Sequence, residues 1–115
     1  MADCIFCKII KGEIPGKFIY RDDQLVSFYD INPKAPIHVL IVPVKHLHSL
    51  QEIKPFDKEL LGSLLLKVNV IAKKLGIAKD GYKVVINNGQ VSGQLVFHLH
   101  MHLLGGWKEG AHWQV

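Results

Sequence analysis

The chain has 115 residues, 49% of them hydrophobic and 21% charged, with a formal net charge of +4. That length and composition fit one globular domain spanning residues 1–115, not a disordered chain. The lysines are scattered in runs no longer than two, which argues against a nucleic-acid groove while leaving a mild positive field suited to small phosphorylated ligands. Met1 to Lys8 carry no apolar core of a signal peptide, and the longest apolar stretch, Leu60 to Leu66, is too short for a bilayer. The expectation is therefore a cytoplasmic protein, with no membrane partner, whose Cys4 and Cys7 are reduced or metal-bound.

Taken in order, Asp3 is placed to cap a short helix from about Cys4 to Lys11, stopped by Gly12. Lys17 to Arg21 and Leu25 to Asp30 read as strands separated by the Asp22-Asp23 turn. Asn32 to Pro36 is a loop, because each proline keeps its predecessor out of the helical region. Ile37 to Pro43, β-branched and apolar, is the clearest strand, and Lys45 to His48 follow it as a loop. A long helix runs from about Asp57 to Leu75, with Leu60, Leu61, Leu64, Leu65, Val68, Ile71, Ala72 and Leu75 at helical spacing and Gly76 as its terminator. Gly81 to Asn87 is a strand, and Asn88 to Gly93 a tight turn before the last one. These elements predict an α+β domain: a five-stranded antiparallel meander with one long and one short helix, the long helix covering one face.

The last strand, His98-Leu99-His100-Met101-His102-Leu103-Leu104, carries the chemistry. Strand alternation places His98, His100 and His102 on one face, neighbours about 6.5–7 Å apart. An imidazole with an ordinary pKa near 6.5 is mostly neutral at pH 7, so it can attack phosphorus while a neighbour protonates a leaving group. The glycine-containing loop Asn88 to Gln94 can offer N–H groups to phosphate oxygens, with Asn87 and Gln94 as amide donors. Cys4 and Cys7, at i and i+3, supply two of the four ligands that structural zinc requires, with His98 and His46 as candidates for the others. A buried thiol pair is the alternative, and the absence of a thioredoxin-like βαβ pattern argues against a redox pair. Ile5, Phe6, Ile9, Ile14, Phe28 and Tyr29 could line a cleft for a base or form ordinary core.

The run HLHMHLL resembles the His-φ-His-φ-His-φ-φ signature of the histidine triad superfamily, φ being an apolar residue. CIFCKIIKGEIPGK, YDINPKAPIHVLIVPVKH, KVVINNG, FHLHMHLLGG and the closing HW together resemble its histidine triad nucleotide-binding branch along nearly the whole chain. The resemblance implies a homodimeric purine nucleotide-binding phosphoramidase whose sheet continues across the dimer into ten strands. It implies His100 as nucleophile, forming a nucleotidyl-histidine that water hydrolyses, and His102 on the phosphate and leaving-group side. Asn87, Gly93 and the backbone of Gln94 and Leu95 would hold the α-phosphate. Asp30, with Ile31 beside it, would bind the ribose, and Phe6, Ile9 and Ile14 the base; Trp113 would reach toward the partner subunit's site. His98 and His46 would orient the catalytic strand and, with Cys4 and Cys7, hold a structural zinc; no organic cofactor is implied. Leu95 stands where the family often has a phosphate-binding Ser or Thr, a loss of about 1–3 kcal/mol if that bond forms in the transition state. Val91-Ser92 also replace the usual glycine or acidic residues. Three other readings compete: a metal-dependent hydrolase liganded by His98, His100 and His102, a nucleotide-binding module with little turnover, and a dinucleoside polyphosphate hydrolase.

Overall fold

β3 (Ile37–Pro43) is buried along almost its whole length because it lies in the middle of a sheet covered on both sides. Two-sided cover explains why its sequence is continuously apolar instead of alternating. The computed structural model describes residues 4–111. In chain order the other elements are α1 (Ile5–Ile10), β1 (Phe18–Arg21), β2 (Leu25–Tyr29), α2 (Lys58–Lys74), β4 (Tyr82–Val85) and β5 (Met101–Gly105). Short 3-10 turns fall at Leu50–Glu52, Pro55–Asp57 and Gln90–Ser92.

All strand pairs are antiparallel, but the order is β1-β2-β3-β5-β4, which corrects the expected meander. β3 and β4 both pair antiparallel with β5, so they run parallel to one another. Parallel strands cannot be joined by a hairpin; they need a crossover, and α2 supplies it. The gap left between them is filled by β5.

The sheet's faces sort by residue parity. Leu25, Val39, Ile41, Met101 and Leu103 pack against Leu64, Val68, Ile71 and Ala72 of α2. Val26, Phe28, Leu40 and Val42 face the other way, onto Phe6 and Ile9 of α1. Leu65, expected in the α2 core stripe, is instead 62% exposed, as are Leu66 (74%) and Val70 (48%). At the end of β5, a Cβ on Gly105 would lie 2.8 Å from the Ile77 Cδ1, so only glycine lets that connection close against the strand.

Cys4, not Asp3, occupies the N-cap of α1, its sulfur accepting from the Cys7 N–H at 3.3 Å. Asp3 lies outside the described residues. Asp57 stands at the N-cap position of α2 without a side-chain bond into the helix; its carboxylate accepts instead from the Lys54 N–H at 3.0 Å, ahead of the Pro55–Asp57 turn, and from Lys45 Nζ at 2.6 Å.

Ser27 is fully buried on the α2 side of β2, and its hydroxyl is the one buried side-chain polar atom without a partner among the described residues. An unsatisfied hydroxyl in an apolar layer opposes folding. Ser27→Ala is therefore expected to stabilise the fold by about 1 kcal/mol, read as a higher urea midpoint at unchanged slope. A lower midpoint would show that the hydroxyl is satisfied.

Candidate active site and metal centre

β5 is shorter than the histidine run. It starts at Met101, so His98 and His100 lie in the irregular segment just ahead of it, with a bend at His98, which corrects the expected strand start. The ladder stops there because β3 ends in Pro43, which has no N–H to donate. The Pro43 carbonyl accepts from a histidine ring instead, His98 Nε2–H at 2.7 Å. The Leu99 N–H donates to the Leu47 carbonyl at 2.6 Å, tying the run to the loop after β3.

Backbone groups fix the tautomers of His98, His100 and His38, and His38 in turn sets that of His102. His98, donating from Nε2, presents the Nδ1 lone pair to the thiols. His100 donates Nδ1–H to the His98 carbonyl at 2.7 Å, which leaves Nε2 as a lone pair. His38 Nδ1 accepts from the Lys34 N–H at 3.0 Å, so its proton is on Nε2. That Nε2–H faces His102 Nδ1 at 3.0 Å and the Asp30 carboxylate at 3.4 Å. His102 then accepts at Nδ1 and keeps Nε2–H as a donor. Its ring lies 5.0 Å from that of His100. One base and one donor thus stand side by side.

Sheet register explains the grouping. Leu40 pairs with His102 and His38 with Leu104, so His38 and His102 are diagonal neighbours on one face. The Asp30 N–H donates to the His38 carbonyl, bringing Asp30 level with them from the end of β2. Burial pushes the His102 pKa down to about 4, and neighbouring His100 and His38 add to the effect. Burial also lowers His100 and His38, partly opposed at both by the Asp30 charge. His98 is lowered to about 4, again mainly by burial. All are neutral at pH 7, as a nucleophilic imidazole must be.

The loop between β4 and His98 is held by Gln94. This side chain is 2% exposed; its amide nitrogen donates to the His48 and Val96 carbonyls, and its oxygen accepts from the Gly89 N–H. The Gln94 N–H donates to the Gly89 carbonyl at 3.2 Å. Gln94 therefore shapes the loop, and the expectation that it offers amide donors to a phosphate is corrected. Gly89 and Gly93 have φ of 93° and 106°, the left-handed backbone that allows so tight a turn. Gly93 is open, with half-buried Asn87 facing it. Leu95 and Ile31 project into solvent, 89% and 91% exposed. Phe6 and Ile9 belong to the small core, while Ile14 is half-buried at its margin. The Phe6 ring meets the His100 ring edge-on at 5.0 Å.

On the other side of Phe6, one donor atom from each of Cys4, Cys7, His46 and His98 falls within a span of 4.8 Å. His98 Nδ1 is 3.3 Å from the Cys4 sulfur and 3.6 Å from the Cys7 sulfur; His46 Nδ1 is 3.4 Å from the Cys7 sulfur. Metal–sulfur bonds of about 2.3 Å and metal–nitrogen bonds of about 2.0 Å at tetrahedral angles give edges of about 3.3–3.8 Å, so the donor set fits such an ion. The His98 bond to the Pro43 carbonyl is the outer support such ligands require. The four residues lie close enough to hold a metal ion. Among the described residues, His98, His100 and His102 do not converge on one point, against a metal site built from that trio.

The HIT domain profile matches residues 11–109. The chain belongs to the histidine triad (HIT) family. It is 53% identical to an uncharacterized HIT-like protein of Synechocystis over 104 residues, covering 90% of each chain. It superposes on a HIT family hydrolase from Clostridium thermocellum with TM-score 0.92 at 44% identity, covering 96% of both chains. A histidine triad nucleotide-binding protein from Candida albicans is similar with TM-score 0.84 at 37% identity, over 98% of this chain and 84% of that one.

In this HIT chain, sequence reasoning missed His38. It is hidden in the apolar run IHVLIVP, and only its place opposite the histidine strand in the sheet gives it meaning. Its signal is a lone histidine in an otherwise apolar strand. Trp113 lies outside the described residues. No described helix is long and apolar enough to cross a membrane.

Proposed function

We propose that this HIT protein hydrolyses the P–N bond of purine nucleoside 5′-phosphoramidates, releasing a nucleoside monophosphate and an amine. The observation that carries the reading is the His100 ring. Its Nδ1–H is committed to the His98 carbonyl, so a neutral Nε2 lone pair is the free nucleophile, beside the His102 N–H donor. Its similarity to a HIT family hydrolase and to a histidine triad nucleotide-binding protein supports the bond-cleaving role and the substrate class.

His100 Nε2 attacks the α-phosphorus as the P–N bond breaks, and the departing nitrogen takes a proton from solvent to leave as the amine. Water then attacks the phosphorus of the nucleotidyl-histidine, breaking the bond to Nε2 and giving its proton to solvent, which regenerates the neutral imidazole. His102 Nε2–H donates to the phosphate and leaving-group side. Asn87, Gly93 and the Leu95 N–H hold the phosphate, Asp30 and Ile31 flank the ribose, and Phe6, Ile9 and Ile14 wall the purine. The decisive experiment is acid quench of the enzyme with adenosine 5′-phosphoramidate, followed by mass spectrometry of the peptide bearing His100. An adenylyl adduct on His100 with steady amine release is expected. Nucleotide binding without adduct or amine would overturn the reading in favour of a binding module.

In this reading Cys4, Cys7, His46 and His98 hold one structural zinc, whose bound charge would fix α1 and the loop after β3 to the catalytic strand. About one zinc per chain is the expected elemental analysis. We assign a homodimer to exposed Leu65, Leu66 and Val70 of α2 together with edge strand β4, where Val84, and Ile86 just past its end, are also exposed. Pairing two β4 edges would extend the sheet to ten strands and cover that apolar surface. The thiol ligands suit a reducing cytoplasm.

His38 is a positioning residue here. Its Nε2–H selects the His102 tautomer, so His38→Ala is expected to lower kcat about 10–100-fold with little change in KM. Imidazole nitrogen NMR should show His102 redistributing between tautomers. An unchanged His102 spectrum would remove that role, whatever the rate.

A further inference from the structure

α1 has six residues, too short to be stable alone. Its sheet-facing contacts come from Phe6 and Ile9. Its N-terminal end is set by sulfur: Cys4 is the N-cap, its Sγ accepts from the Cys7 N–H, and both thiols meet His98, with Cys7 also meeting His46. Phe6 lies between the two cysteines in sequence, and its ring stands against both His98 at 6.0 Å and His100 at 5.0 Å. Whatever moves the Cys4-to-Cys7 turn moves the wall beside the nucleophile.

The two sulfurs are also close enough to react with each other. Their Sγ atoms fall within the 4.8 Å donor cluster, and Cα atoms three apart at a helix start are separated by about 5 Å, inside the range a disulfide spans. Both residues are half-buried, so a small oxidant reaches them. A disulfide would leave only His46 and His98 as ligands, too few to retain the ion.

We propose that Cys4 and Cys7 form a peroxide-sensitive switch whose closure expels the metal and unseats α1, with Phe6, from catalytic His100. The switch rests on the metal and nucleotide readings above and regulates that same site; it is not an oxidoreductase centre. In the reaction one thiolate attacks a peroxide oxygen, giving a sulfenic acid and hydroxide. The second thiolate attacks the sulfenyl sulfur, forming the S–S bond and expelling a second hydroxide. Two protons convert these to water, so two thiolates lose two electrons to the O–O bond and the metal ion is freed. A thiol reductant and fresh metal reverse the change.

The test uses the full chain loaded with zinc and treated with hydrogen peroxide. Zinc release is followed with a chromogenic chelator, the Cys4–Cys7 link by peptide mass, and α1 by deuterium exchange at the Lys8 and Lys11 amides, which donate to the Cys4 and Cys7 carbonyls. One zinc released per disulfide, exchange faster by at least about tenfold and AMP affinity weaker by about tenfold are expected, all restored by dithiothreitol and zinc. A disulfide that leaves exchange and affinity unchanged overturns the proposal, as does peroxide that leaves the thiols intact. The Cys4→Ser, Cys7→Ser double variant should show no peroxide response; if it responds, the oxidation that matters lies elsewhere and the switch is refuted. Failure of the reduced, loaded protein to bind AMP would refute the nucleotide reading instead, while zinc release and exchange still decide the switch.

Discussion

His100→Ala is expected to lower amine release from adenosine 5′-phosphoramidate by at least about 10³-fold, equivalent to about 4 kcal/mol of transition-state stabilisation. The size follows from geometry. His100 is the ring whose backbone bond leaves a lone pair on Nε2. His98 commits one nitrogen to the Pro43 carbonyl and turns the other to the thiols, and His102 accepts from His38 and keeps only a donor. No neighbouring histidine can take over the attack. AMP binding should survive within about tenfold, because the proposed binding mode takes its phosphate and ribose contacts from Asn87, Gly93 and Asp30 and not from His100. Steady-state kinetics with calorimetry on the same preparation checks both. Residual turnover within tenfold of wild type would exclude His100 as the nucleophile, and loss of AMP binding as large as the loss of rate would make its role structural.

Local pattern reached some features of this chain and not others, and the boundary is physical. Ile37–Pro43 was legible to the residue because β-branching and a closing proline act within the strand itself. The helix from Lys58 to Lys74 was legible from its leucine spacing and Gly76. Strand order was not, since insertion of β5 between β3 and β4 depends on where a crossover lands, which no window of sequence records. The same limit concealed His38. It becomes a partner of His102 only through the β3–β5 register. Leu65 reads as core by period, yet it faces outward because α2 is apolar over more of its circumference than one sheet can cover. The cluster of Cys4, Cys7, His46 and His98 was readable because residue type narrows it: two thiols three apart need two more donors, and the histidines supply them. Gln94 misled because an amide in a glycine loop suggests a ligand, whereas burial consumed its hydrogen bonds within the loop.

Acid should weaken the fold well before its carboxylates titrate. His102 has its pKa pushed down to about 4 by burial, with His100 and His38 adding to it, and an unfolded histidine titrates near 6.5. Between those values the unfolded chain binds a proton that the native protein refuses. Stability is therefore full above about pH 6.5 and falls as the pH drops through that window toward 4. The His102 share is at most about 3 kcal/mol, because its ring is half-buried and water reaches part of it. His38 is lowered in the same direction by burial, with the Asp30 charge opposing it. Asp57 acts in a separate window. Its hydrogen bond to Lys45 holds its pKa below the usual carboxylate value, so that contribution disappears only as pH falls through the lowered value. Urea midpoints at pH 7 and pH 4.5 should separate the two. Wild type should lose stability over that interval, and His102→Asn, which has no proton to gain at this position, should lose less by up to about 3 kcal/mol. Equal losses in the two proteins would mean that His102 is protonated without penalty in the native state. It would then titrate like an ordinary imidazole, with Nδ1 open to a proton, and the hydrogen bond that commits Nδ1 to His38 would be wrong.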